Sequence, residues 1–114
     1  MNLGRVLTLG AGQRFATLKA SHDPCVQALL ENYRVWSNKA TVDELQASSI
    51  LFDTVAVYLA FAHDLVKVEE VGVRVGDDGM TTPDPKARRL GWATAWKDID
   101  GFRDLLTSRL LGRA

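Results

Sequence analysis

The sequence predicts a mainly α fold, a compact bundle of three to four helices around a central apolar helix at about 42–68. Three observations carry this expectation. Apolar residues recur at steps of three and four from Pro24 to Trp36, the stretch 45–63 is apolar almost throughout, and Leu90, Trp92, Ala93, Trp96 and Ile99 resume a helical spacing near the C-terminus. With 114 residues, 46% of them hydrophobic, the chain is read as a single helical domain, 1–114, with apolar material for one modest core.

Residues 1–20 read differently from the rest. Gly4, Gly10 and Gly12 punctuate the apolar runs 6–9 and 15–18. The segment is therefore a short β-hairpin turning at Gly10-Ala11-Gly12, an extended N-terminal arm that orders against a partner, or a short amphipathic helix over Gln13–Lys19. The glycine cluster is not a phosphate loop, because no Gly-Lys-Ser/Thr follows it.

Asp23 and Pro24 then open a helix, the carboxylate accepting from free first-turn amides and the proline needing no N–H there. Val26, Leu29, Leu30, Tyr33 and Trp36 form its apolar stripe, with Trp36 read as core and Cys25 as a small buried hydrophobe. After the break at Ser37-Asn38-Lys39, Thr41 and Glu44 make a capping box, with Ala40 and Leu45 as its staple. In the helix that follows, Asp53 is the only charge between 45 and 63, and a helix apolar all round belongs in the centre of a bundle. Gln46, Ser48, Ser49, Thr54 and the mid-segment Asp53, with no flanking Lys/Arg asymmetry, argue against a membrane span.

Beyond Glu70 the period falls to two. Val71, Val73 and Val75 alternate with other residues, Gly76-Asp77-Asp78-Gly79 turns, and Met80-Thr81-Thr82 returns, a β-like loop near 71–82 that either pairs with the N-terminal arm or projects. Asp84 and Pro85 signal the start of a last helix, bent or divided at Asp100-Gly101, carrying Phe102, Leu105, Leu106 and Leu110 and stopping at Gly112.

Charge excludes more than it suggests. Fourteen Lys and Arg balance fourteen Asp and Glu, and the balance also holds within each half, so no basic nucleic-acid footprint or polybasic membrane patch is present. A lone cysteine and the lack of a basic, apolar leader point to a cytoplasmic setting or to incorporation in an assembled particle. No cofactor or metal is implied by this reading.

Two histidines suggest the alternative. His22, then His63-Asp64, then Asp100 follow the order of the metal ligands in the HD-domain phosphohydrolases, and the apolar run ending His63-Asp64-Leu65-Val66-Lys67 is similar to that family's His-Asp-hydrophobic-Gly-Lys motif, with Val66 in the glycine position. The resemblance implies that His22, His63, Asp64 and Asp100 bind a divalent metal whose water attacks phosphorus, with Lys67 assisting a phosphate. The competing reading makes His22-Asp23 a helix start and His63-Asp64 the place where an apolar helix regains polarity. Asp53, without a second carboxylate one turn away, is expected to face out, pair with an arginine or sit at an interface.

With no catalytic motif, neutral charge and three tryptophans, the chain reads best as a small non-enzymatic protein-interaction or assembly module. Adaptor, chaperone, inhibitor or structural subunit of a larger complex, such as a phage or secretion assembly, all fit. The expected contact residues are Trp92 and Trp96, read as sharing one helix face, with core packing the competing reading for Trp96, then Val73 and Val75 on the loop, and Phe15 on the arm. The partner is another protein or a second copy of the chain.

Overall fold

A computed structural model describes residues 3–10 and 12–112. Among these, four α-helices and a three-stranded antiparallel sheet follow in the order α1 Gln13–Lys19, α2 Pro24–Trp36, α3 Phe52–Leu59, β1 Val66–Val75, β2 Thr81–Pro83, β3 Arg89–Trp96 and α4 Ile99–Leu110. The expected mainly α bundle is thus corrected to a mixed α and β fold, and two of the expected helices account for the change.

The central helix expected at 42–68 does not form. A single 3-10 turn covers Val42–Glu44, and the capping box is not made: the Glu44 carboxylate accepts from the Ala40 amide at 3.2 Å, one residue ahead of Thr41, and Thr41 supplies no side-chain cap. Residues 45–51 then run extended beside residues 7–9. The Ser48 amide donates to the Leu9 carbonyl and the Leu51 amide to the Leu7 carbonyl, each at 2.9 Å, and the Ser48 hydroxyl accepts from the Leu9 amide at 2.9 Å. A serine that satisfies a neighbouring backbone gives the chain an alternative to helix, which is what happens here. The helix shrinks to the eight residues of α3, and the β-branched residues after Leu65 enter β1.

The helix expected from Asp84 is also displaced. Asp84 Oδ1 accepts from the Lys86 amide and the Asp84 carbonyl from the Ala87 amide, which closes a turn. Leu90, Trp92, Ala93 and Trp96 then extend as β3, because β1 offers a paired edge and their spacing suits a strand as well as a helix. A real helix begins at Ile99, capped by Asp98, whose carboxylate accepts from the Gly101 amide at 2.8 Å. Asp100-Gly101 lies inside its first turn and does not divide it.

Strand order is β2-β1-β3, with Val75 opposite Thr81 and Val66 opposite Trp96. The expected turn at 76–79 forms, Gly79 taking φ +82°. At Gly72, buried in β1, a β-carbon would meet the Asp84 carbonyl oxygen, so only glycine lets that turn close against the strand.

The N-terminus is neither hairpin nor free arm. A 3-10 turn at Leu3–Val6 leads into an extended stretch and then α1 with the boundaries of the third sequence reading; Ala11, the middle of the expected turn, lies outside the described residues. Helix α2 forms as expected, with Asp23 Oδ1 accepting from the Cys25 and Val26 amides at 2.8 and 3.2 Å. Its buried stripe is narrow, however. Val26 and Leu30 point inward, while Cys25 falls about 100° off that line and is exposed, and Trp36 in the last turn is 72% exposed, so neither is core.

Two hydrophobic clusters result. One gathers Leu3, Leu7, Val55, Tyr58, Val66 and Phe102; the other gathers Leu9, Phe15, Leu18, Val26, Leu30 and Leu45. Residues 7–9 thread between them, with Leu51 touching both. The sheet stands out from this body, giving extents of 52 × 32 × 21 Å. The radius of gyration is 17.0 Å, where a compact chain of this length has about 13 Å.

Candidate functional site

Helix α3 is amphiphilic in an unusual sense: both of its faces are apolar. Val55 and Tyr58 point into the core, while Phe52, Ala56, Val57, Ala60 and Phe61 form an exposed stripe along the helix and the turn that ends it. Val57 is 65% exposed and Phe61 62%. Grooves lie on either side of this ridge. One, about 290 Å³, is bounded by Val57, Phe61, Leu105 and Leu106 from α3 and α4; the other, about 430 Å³, by Phe52, Asp53, Ala56, Trp92 and Ala93 from α3 and β3.

The floor beneath the ridge is rigid. Tyr58 donates its hydroxyl proton to Asp64 Oδ1 at 2.6 Å and accepts from the Leu65 amide at 2.9 Å, and its ring meets those of Phe61 and Phe102 edge to face at 5.6 and 5.3 Å. Burial, reinforced by the hydrogen bond to Asp64, raises its pKa above the usual tyrosine value. Asp53, at the first turn of α3, faces out; there its charge suits the positive end of the helix dipole, and no hydrogen-bond or ion-pair partner meets it among the described residues.

The sheet carries the second apolar face. Residues opposite each other in an antiparallel pair share a face, so Glu69 with Trp92, Val71 with Leu90, and Val73 with Pro83 lie on one side, followed by Val75 two residues on. The other side is the one that meets the body, through Val66, Ala93 and Trp96. The main helical packing on the sheet is that of the 3-10 turn Leu3–Val6 against β3. The Trp92 side holds a shallow hollow of about 240 Å³ between Val71, Pro83, Trp92 and Thr94, and Val75 and Leu90 are 65% and 46% exposed. The carbonyl of Arg88 accepts from the Val73 amide at 3.0 Å, which sets Arg88 at the next register position on this face. Its guanidinium has no ion-pair or hydrogen-bond partner among the described residues.

The residues expected to make contacts are divided by this geometry. Trp92, Val73 and Val75 come together on the outer sheet face. Trp96 does not share a helix face with Trp92; both lie in β3, where the irregularity opposite Lys67 and Val68 turns Trp96 inward. There its Nε1 donates to the Leu3 carbonyl at 3.0 Å and its ring lies against Phe102. Phe15, 2% exposed, is taken up by the second core cluster.

Four of the five residues of the phosphohydrolase resemblance are engaged locally. Asp64 holds Tyr58, a ring nitrogen of His63 lies 3.0 Å from the Leu59 carbonyl, and Lys67 pairs with Glu69. Asp100 joins Arg14 and Arg103 in a surface network that also ties Arg103 to the carbonyls of Val6 and Thr8, while His22 lies exposed ahead of α2. Among the described residues no three of His, Cys, Asp or Glu stand together as a metal site. No helix of the described chain is long and apolar enough to cross a membrane.

Phe52, Val57 and Phe61 were the surface residues missed by sequence reasoning. Their signal was present as an apolar stretch, but apolarity all round assigned them to the interior of a bundle. Compared with known proteins, the chain matches no protein-family model, and no curated protein or solved structure is significantly similar to it.

Proposed function

We propose that the protein is a small assembly module, a non-enzymatic subunit that works by docking other protein surfaces onto α3 and the outer face of its sheet. One observation carries this reading. A compact chain of 12.6 kDa exposes about 6,200 Å², whereas this one exposes 7783 Å², an excess of about 1,600 Å². Large apolar side chains face outward on α3 and along the sheet, Phe52, Val57, Phe61, Val75 and Leu90 among them, and exposed apolar area of this kind marks a contact surface. Recognition rests on shape and on aromatic and aliphatic anchors, consistent with a net charge of zero that supplies no long-range field. The exposed single thiol of Cys25 fits a reducing compartment.

Size measurement in the cell of origin tests the reading. The wild-type chain, detected by antibody after gel filtration of a fresh lysate, is expected well above its own 12.6 kDa, and Val57→Ser with Phe61→Ser is expected to move it towards the monomer position. A wild-type chain at monomer size in lysate would remove the basis for the proposal.

A further inference from the structure

We infer that the occupant of the α3 face is a second copy of this chain, whose outer sheet face seats on it head to tail. This rests on the reading of the protein as an assembly module and names its partner. The area comes first. A standard protein interface takes about 800 Å² from each partner. An α3 to α3 contact would therefore use about half of the excess surface and leave the sheet face bare. A head-to-tail contact uses two different faces on every copy, about 1,600 Å² in all, which matches the excess.

Charge agrees with the same pairing. The α3 ridge carries one anion, Asp53; on the outer sheet face Glu69 is paired with Lys67, and Arg88 is the cation that, like Asp53, has no ion-pair or hydrogen-bond partner among the described residues of its own chain. Two copies of α3 face to face offer Asp53 no cation on the opposing ridge. The ridge against the sheet brings Asp53 towards Arg88, with Val57 and Phe61 meeting the apolar strip of Val71, Leu90 and Trp92. Because such a contact joins unlike surfaces, it repeats from copy to copy and ends in a closed ring or an open filament.

Analytical ultracentrifugation of the purified chain from about 1 to 100 μM, with charge reversals, tests this. Assemblies larger than a dimer are expected for the wild type. Asp53→Arg and Arg88→Asp, both at exposed positions, are each expected to weaken association about tenfold or more, and the double reversal to restore most of the loss. A monomer at 100 μM, a closed dimer indifferent to Arg88→Asp, or a double variant no better than either single one overturns the inference. If the pure chain is monomeric while the lysate complex persists and depends on Val57 and Phe61, the assembly reading stands and only the self-docking falls. If the lysate form is monomeric too, both fall.

Discussion

The body and the sheet of this molecule are built on opposite terms. Of the twelve buried hydrophobic residues among those described, Val66 alone belongs to a strand; the other eleven lie in the helices and in the segments that thread between them. The sheet is held by its own ladder and by one end, where Val66, Ala93 and Trp96 enter the core. Folding free energy tracks buried apolar area, so the body is stabilised by what it hides and the outer sheet mainly by hydrogen bonds that water also competes for. The contrast teaches that the two parts have different jobs. A region that hides little in the free chain opens at low cost, and it is where binding can add most.

The largest expected effect lies in the body. Leu7 is fully buried, with 0% exposure, in the segment whose neighbour Leu9 anchors the second cluster. Leu7→Ala should cost about 3 to 5 kcal/mol, the transfer loss plus the cavity left behind. Chemical denaturation would read it as a shift of midpoint at unchanged slope. A loss below about 1 kcal/mol would mean that the threading segment is not what joins the clusters.

Next comes the strand at its tightest point. Gly72→Ala places a β-carbon on the Asp84 carbonyl, and the strain should amount to about 1 to 3 kcal/mol. The comparison predicts where that energy appears: faster amide exchange at Asp84 and Gly76, whose amides donate to the Gly72 and Met80 carbonyls across the hairpin, with core amides such as Tyr58 nearly unchanged. Uniform acceleration throughout would show that sheet and body unfold as one unit.

Tyr58 gives a smaller effect with a pH signature. Removing its hydroxyl leaves Asp64 without a donor and the Leu65 amide without an acceptor, so Tyr58→Phe should cost about 1 to 2 kcal/mol at neutral pH. The folded chain holds the phenol protonated, its pKa raised by burial and by Asp64. Its contribution is therefore complete below the ordinary tyrosine pKa of about 10 and drains away as pH rises through the raised folded value. Wild-type stability should fall more steeply than that of Tyr58→Phe above about pH 10, and parallel alkaline profiles would count against the buried hydroxyl.

Local signals were legible in the sequence where a single side chain settles the backbone. Asp23 and Pro24 start α2, Gly76 to Gly79 turn the chain, and Gln13–Lys19 has the pattern of the helix it forms. Long-range pairing was not legible. Ser48 reaches Leu9 across 39 positions, and β1 pairs with β3 across a turn that Asp84 and Pro85 disguise as a helix start. The candidate site shows the same division. Trp92, Val73 and Val75 were picked out because a period of two and an aromatic residue survive any partner choice. Val57 and Phe61 were placed inside because helical apolarity tells how much surface must be covered and says nothing about whether the same chain covers it.

Val57→Ser tests that last point with the smallest change. The side chain is 65% exposed, and valine and serine have similar helix propensity, so the dilute monomer should keep its stability to within about 0.5 kcal/mol. In thermal melts of so short a chain this is a shift of roughly 2 to 4 °C at most. Association is another matter, because the same methyl groups become buried once a partner sits on α3, and losing them there should weaken binding about tenfold. The ratio between the two effects is the informative quantity. A core position loses folding stability first and association only as a consequence, whereas a docking position loses association while the monomer melts as before. If Val57→Ser lowered the melting temperature of the dilute chain by ten degrees, α3 would belong to the body on both faces, and the division between a self-sufficient core and surfaces completed by a partner would have to be redrawn with the helix on the other side.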